Sequence, residues 1–389
     1  MLLVVDRDVD VVKVTKDLIK IDTRNPPGLT TEAVEYLQNL FSSFKTKVYS
    51  KENGKENLVV EISRGKPTIM LTSHLDTVPS EDMLLNPVIV DGKLYGRGSC
   101  DAKGCVAAIC KAGLELADSV ELGLKLAFTA DEEIGGVNGL GFVFPREKSD
   151  LVLIGEPTGS CKVGVLQAAV FALDIEISGE SGHTATKDAK DGAIYKASEY
   201  IISTLEKFKH VKGEFKKYKT IFEELGYGFL VRGCGDAVFN PAIIKGGIKR
   251  NVVAPRCTIK ADVRFAPWVN VNEIRDALFD DRIESIKVEG FLRPYGVNFD
   301  NVDFKKDLKV LEILKKAIER ENMEPKAVFS LGVGDSRHVR KFGIPAFYLG
   351  PGGENLHSEN EYVYISELYT ASQVYCNFVR IFSREVAEL

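Results

Sequence analysis

Apolar runs of strand length at residues 58–62, 68–72, 122–129 and 151–154 alternate with helical patterns at residues 9–21, 31–44 and 102–117. This alternation is the strongest constraint the chain carries. Strands that are apolar on both faces must be covered on both faces, and the intervening helices supply the cover, so the pattern predicts a wound α/β layer structure. Val11, Val14, Leu18 and Ile21 share one face of the first helix. Asn25-Pro26-Pro27-Gly28 ends it, because proline and glycine stop helices. Residues 88–95 read as a hairpin, since Asp91-Gly92 favours a tight primed turn.

Near Gly164 the strands become amphipathic. A strand at 171–178, a helix at 189–208, strands at 243–248 and 257–265, a helix at 271–278 and a strand at 285–289 follow in turn. Ile194, Ala197, Ile201, Leu205 and Phe208 are expected to face inward from the long helix. That β–α–β–β–α–β order predicts a small antiparallel sheet with helices on one face. After Pro294 the wound pattern resumes, with a helix at 308–321, strands at 327–330 and 346–349 and a last helix at 365–386. The expected organisation is a catalytic α/β domain of residues 1–164 and 294–389, interrupted by an inserted domain of residues 165–293.

The 389-residue chain has a formal net charge of −5, which offers no basic footprint to nucleic acid and no polybasic patch to anionic lipid. No apolar run approaches the ~18 residues of a membrane span. Residues 1–8 are too short an apolar stretch for a signal peptide. The Cys residues include no Cys-x-x-Cys pair and read as reduced thiols. These features predict a cytoplasmic enzyme with no nucleic-acid or membrane partner.

Several predicted strands end in groups able to do chemistry. His74 follows one, in Ser73-His74-Leu75-Asp76, and strand ends are where functional groups gather in α/β sheets. Imidazole suits zinc-like metals, and Asp76 is placed to accept the other ring N–H. A core histidine bonded to backbone is the alternative. Asp101 lies at a loop-to-helix junction, where an N-cap is the common explanation. Asp131-Glu132-Glu133 ends another strand, either as a solvated turn or as acids neutralised by a divalent metal. Glu156 ends the run at 151–154, and His357 sits in the Gly-rich stretch after the run at 346–349. Two His and three acids placed so consistently suit a pair of metals.

Taken together these segments resemble the acetylornithine deacetylase, succinyl-diaminopimelate desuccinylase and aminoacylase family of co-catalytic zinc metallohydrolases, which also contains carboxypeptidases and dipeptidases. His-x-Asp at residue 74, the Gly-Arg-Gly-x-x-Asp-x-Lys-Gly run from Gly96, Glu132-Glu133, Gly155-Glu156-Pro157-Thr158 and the late His357 carry the resemblance. It implies a zinc-exopeptidase-like catalytic domain with a small α+β, ferredoxin-like insert for dimerisation. It implies two divalent ions per subunit, zinc first, with cobalt or manganese as alternatives. Asp101 would bridge them, His74 and Glu156 would complete one site, and Glu133 and His357 the other. Glu132 would be the general base acting on a metal-activated water, and Asp76 would orient His74. A cis peptide would follow Asp101.

In the insert, His183 resembles the family histidine that reaches an active site across a homodimer and stabilises the oxyanion, and Asn251 matches a substrate contact. Gly334 and Arg337 resemble a substrate loop. Arg337 either forks onto the substrate carboxylate or pairs with Asp335. Among the remaining candidates His210 is read as a solvated helix end, His338 as incidental, Cys100 as buried filler beside Asp101 and Trp268 as packing, and Arg264 could be structural. The leading function is hydrolysis of N-acyl amino acids. An exopeptidase using the same centre is the alternative, and an inactive binding protein on this fold is the reading from another class.

Overall fold

The structure, a computed structural model, describes residues 9–386 apart from Cys234; the apolar start at residues 1–8 lies outside the described residues. The apolar runs assemble into one large mixed sheet. From edge to edge its strands are Lys45–Ser50, Glu56–Ser63, Gly123–Thr129, Thr68–His74, Leu151–Ile154, Ala346–Tyr348, Lys162–Gln167, Lys326–Ser330 and Gly228–Arg232. The four central strands from Gly123–Thr129 to Ala346–Tyr348 run parallel, so their carboxyl ends meet along one side. That is the side on which His74, Glu132, Glu133 and Glu156 emerge.

Helices cover both faces, as strands buried on both sides require. Val11–Lys20, Lys103–Leu116 and Ile365–Val386 pack together over one face. The first presents Val11, Val14 and Leu18 inward, as the spacing predicts. On the other face Leu140, Val143, Phe144 and Val339 close over Met70, Ala127, Val152 and Ile154. The hairpin forms at its expected turn, with Asp91 at φ 48° and Gly92 at φ 73°. Among the described residues no helix is long and apolar enough to cross a membrane.

The β–α–β–β–α–β unit is present as a second sheet, all antiparallel, ordered Ala237–Gly246, Arg256–Phe265, Ala169–Ser178, Ile283–Leu292. Along Arg256–Phe265 alternate residues Cys257, Ile259, Ala261, Val263 and Phe265 are buried, and the helix Ala193–His210 packs on this sheet.

Two features depart from the expectation. In Ala193–His210 the inward face is Ala193, Ala197, Tyr200, Thr204 and Phe208, while Ile194 and Leu205 point to solvent. The helix is apolar on two faces, and the sheet takes the one that carries Tyr200 and Phe208. The residues between 165 and 293 also do not stay together. The helix Phe215–Glu224 and the strand Gly228–Arg232 return to the large sheet, where Gly228–Arg232 pairs in parallel with Lys326–Ser330. Trp268 packs on Phe215 and Phe329 at this return, centroids 5.2 and 4.6 Å away.

Candidate metal centre

His74 closes a strand whose residues are all buried. Its Nδ1 lies 2.9 Å from the backbone O of Asp76 and its Nε2 3.1 Å from Asp101 Oδ1. A ring that donates Nδ1–H to a carbonyl keeps the Nε2 lone pair free, which is the tautomer a ligand needs. The Asp76 carboxylate, expected to take that proton, stands off at 3.6 Å. It accepts instead from the backbone N–H of Glu132 at 3.0 Å and of Glu133 at 3.3 Å, and from Asn25 Nδ2 at 2.9 Å. Asp76 therefore orients the Glu132-Glu133 turn, and its main chain orients His74.

Asp101 is not an N-cap: Ala102 holds the cap position of Lys103–Leu116, and no side chain caps it. The Asp101–Ala102 peptide is cis. The second Asp101 oxygen lies 3.2 Å from His357 Nε2, which is itself 3.5 Å from Glu133 Oε2. Two triads result, His74–Asp101–Glu156 and Asp101–Glu133–His357, with ligand atoms in each within 4.8 Å of one another. Two ligands about 2.1 Å from one ion span up to ~4.2 Å, so the triads are close to cation size. Asp101 belongs to both.

The fit to cations shows in what the acids lack. Among the described residues Glu133 Oε1 and Glu156 Oε1 are buried with no hydrogen-bond partner, a costly state unless a cation meets them. Burial and the neighbouring Asp101 carboxylate push Glu133 up to about 8. Burial and Glu132 push Glu156 well above the carboxylate range. Glu132 is pushed up to about 7 by burial, with Asp101 and Asp76 adding to it. Asp101 is the exception: burial opposes its charge, but hydrogen bonds from His357 and His74 hold it well below the usual range.

A pH dependence follows. Without cations, Glu132 and Glu133 keep protons to about pH 7 and 8, whereas the unfolded chain releases them near 4.5. Through that window the folded state binds more protons, so the cation-free protein loses stability as pH rises. Cations require the ionised forms and expel those protons. The rise in melting temperature on adding zinc should therefore grow between about pH 5 and pH 8. A rise that is constant across this range would contradict the assignment.

The loops carrying the ligands are clamped from behind. Asp131 sits in the left-handed region at φ 61°, where a non-glycine residue is strained. Its carboxylate holds it there, taking Lys55 Nζ at 2.6 Å, Asn138 Nδ2 at 2.6 Å and Asn25 Nδ2 at 3.0 Å. Glu361 accepts from the backbone N–H of Gly98 at 3.1 Å and of Cys100 and Asp101 at 3.0 Å each, and pairs with Arg97. Arg97 in turn donates to the carbonyl of Ser358, beside His357, at 3.1 Å. Glu361 thus ties the Asp101 loop to the His357 loop. Glu361→Gln should weaken metal binding about 10- to 100-fold, the usual cost of losing an outer partner of a ligand. Competition against a chelator measures this, and unchanged affinity would remove Glu361 from the centre's support.

Asp101, Glu132, Glu133, Glu156, Arg337 and His357 all line one cavity of about 510 Å³. Gly334 lines it too, and a Cβ there would meet Tyr348 Oη at 2.9 Å and Glu132 Oε1 at 3.3 Å. Arg337 donates to the carbonyls of Gly334 at 2.9 Å and Gly135 at 2.6 Å rather than to Asp335. His183 and Asn251 are not on this wall. His183 lies on a two-residue strand, Gly182–His183, paired with Val252–Val253, and both His183 and Asn251 are exposed. His210 is an exposed helix end. His338 is not incidental: it is buried, and its Nε2 contacts Gly135 O at 3.0 Å. Sequence reasoning missed Glu361, Asn25 and Lys55; Glu361, four residues after His357, was the one within reach of a motif.

A sequence model of peptidase family M20/M25/M40 matches residues 70–381. The chain belongs to this family. Its M20-type sequence is 25% identical to a [LysW]-lysine/[LysW]-ornithine hydrolase of Saccharolobus islandicus, over 92% of each chain. It is 26% identical to an acetylornithine deacetylase of Myxococcus xanthus, over 82% of this chain and 81% of that one. An M20 metallo-carboxypeptidase of Sulfolobus solfataricus shares the fold with a TM-score of 0.68 at 17% identity, over 97% of this chain and all of that chain. The catalytic and inserted layers expected from the sequence are those of the M20 fold, and this M20 member is a metal-dependent amidohydrolase.

Proposed function

We propose that the chain hydrolyses the amide bond of N-acyl amino acids at a centre for two divalent ions, zinc first, held by His74, Asp101 and Glu156 on one side and by Asp101, Glu133 and His357 on the other. The observation that carries this is the sharing of Asp101 by both triads, with Glu132 beside them on the cavity wall. Bound there, the ions would polarise the amide carbonyl and acidify water. Glu132 takes the proton from the attacking water and delivers it to the leaving amine. Its carboxylate stands on the cavity wall outside both triads, where it is free to carry that proton. Arg337 presents its guanidinium to the substrate's α-carboxylate, and the room beside Glu132 is kept by Gly334. Likeness to the acetylornithine deacetylase and the [LysW] hydrolase favours a deacylase over an exopeptidase. Amine release from N-acetylornithine, N-succinyl-diaminopimelate, N-acyl-lysine and a set of dipeptides, with and without added metal, is the test. Cleavage of the dipeptides alone would transfer the assignment to a peptidase.

His183 and Asn251 complete the site of a second copy in this reading. Its support is an apolar surface without a partner: Ile194, Ile202 and Leu205 on the helix Ala193–His210 and Ile243, Ile244 and Ile248 at the sheet edge are all exposed. Such a patch marks an interface. Sedimentation should give a dimer, and Ile202→Asp combined with Ile244→Asp should give a monomer with little turnover. An active monomer would end the proposed role of His183. The unpaired cysteines among the described residues suit the cytoplasm.

A further inference from the structure

Arg337 reaches the cavity from a short segment, Gly334-Asp335-Ser336-Arg337, that the large sheet holds by two side chains. Tyr348 ends the strand Ala346–Tyr348 and stands in register with Gly164 of the antiparallel neighbour Lys162–Gln167. Gly164 makes room for it, since a Cβ there would come within 2.8 Å of the Tyr348 Cβ. Gln167 ends that neighbour and is buried. These two strand ends supply the acceptors for the segment. The Ser336 N–H donates to Tyr348 Oη at 2.9 Å, and the Gly334 N–H donates to Gln167 Oε1 at 3.3 Å. Ser336 Oγ donates to Gln167 Oε1 at 3.1 Å, and Tyr348 Oη donates to Ser336 Oγ at 2.8 Å. The sense of the Gln167 amide is fixed because a main-chain N–H can only donate. Its Nε2 is left buried without a partner among the described residues.

Asp335 lies between the two held N–H groups, buried against Gly136. Burial and Glu132 push its carboxyl well above the usual range, and Arg337 pulls it back. Arg337 follows Ser336 directly and is steadied by the carbonyls of Gly334 and Gly135. A long side chain delivers its planar fork to one place only if the main chain beneath it is fixed. Here the fixing bonds are those of Tyr348 and Gln167, and neither residue belongs to a metal triad. We infer, resting on the proposed reading of the α-carboxylate by Arg337, that Tyr348 is a positioning residue for substrate binding: through the Ser336 N–H its hydroxyl sets where the Arg337 guanidinium meets that carboxylate. Tyr348→Phe takes the acceptor from the Ser336 N–H, a cost the segment escapes only by moving.

The test compares N-acetylornithine with N-acetylputrescine, the same amide without the α-carboxylate. The kcat and KM are measured on the metal-loaded enzyme. The Kd is measured by calorimetry on metal-loaded Glu132→Gln protein, which reads binding without turnover. The parent should prefer N-acetylornithine. Tyr348→Phe should raise the KM and Kd of that compound about 10- to 100-fold, the worth of one hydrogen bond between charged partners, with kcat little changed. Its constants for N-acetylputrescine and its metal content should stay at the parent values. Gln167→Met, which removes the other acceptor, should show the same split. On an Arg337→Gln background Tyr348→Phe should cost nothing further, because residues that act through one contact are not additive. A loss shared equally by both compounds, a loss of metal, or a full loss on the Arg337→Gln background overturns the inference. A parent preference that Tyr348→Phe leaves intact overturns the inference alone. Selective binding that Tyr348→Phe weakens, without cleavage of either compound, overturns the deacylase reading alone. Equal treatment of the two compounds by the parent, or binding of neither, overturns both the part given to Arg337 and the inference.

Discussion

Glu132→Gln should retain its metal and lose turnover by about 10²- to 10⁴-fold, the usual contribution of a positioned general base. Glu132 lies on the cavity wall but in neither metal triad. Its backbone N–H is fixed by Asp76 at 3.0 Å, so the turn that aims the side chain does not depend on the carboxylate itself. Glutamine keeps shape and volume and removes only the ability to accept a proton. Metal content by elemental analysis should equal that of the parent protein, and KM should move little. If metal is lost together with activity, Glu132 is a ligand, and the division between Glu132 and Glu133 is wrong.

Asp101→Ala should release both ions and bring activity to background, whereas His357→Ala should release one. The difference rests on geometry. Asp101 presents Oδ1 to His74 and Oδ2 to His357, so its loss takes a ligand from each triad. His357 serves only the triad with Glu133, and His74 and Glu156 remain for the other ion. Stoichiometry after zinc loading and gel filtration reads the outcome directly. One ion retained by Asp101→Ala would mean that the two triads are separate sites and that the carboxylate is not shared.

The residues of the two triads were legible in the sequence because parallel strands carry their carboxyl ends to one side of a sheet. His74 ends such a strand and Glu133 and Glu156 closely follow theirs, so recognising the strands brought these candidates together. The residues that hold them were not legible for a physical reason. Glu361 acts through the main-chain N–H groups of Gly98, Cys100 and Asp101, which have no side-chain signature. Asn25 reaches Asp76 and Asp131 across 51 and 106 positions of chain. Tyr200 and Thr204 took the inward face expected for Ile201 and Leu205, because apolar periodicity cannot say which of two apolar faces a sheet will choose. Gly228–Arg232 is a short edge strand between glycines and gave no alternation to follow.

That edge strand has a consequence for how the molecule can be taken apart. The polypeptide threads from the larger sheet to the smaller and back twice, through Lys162–Gln167, Ala169–Ser178, Gly228–Arg232, Ala237–Gly246, Ile283–Leu292 and Lys326–Ser330. The smaller sheet is stitched in rather than clipped on. Excising residues 165–293 would leave the hydrogen-bonding groups of Lys326–Ser330 bare, an invitation to aggregate. A chimera that borrows this panel from another enzyme has to bring its own seam to that border.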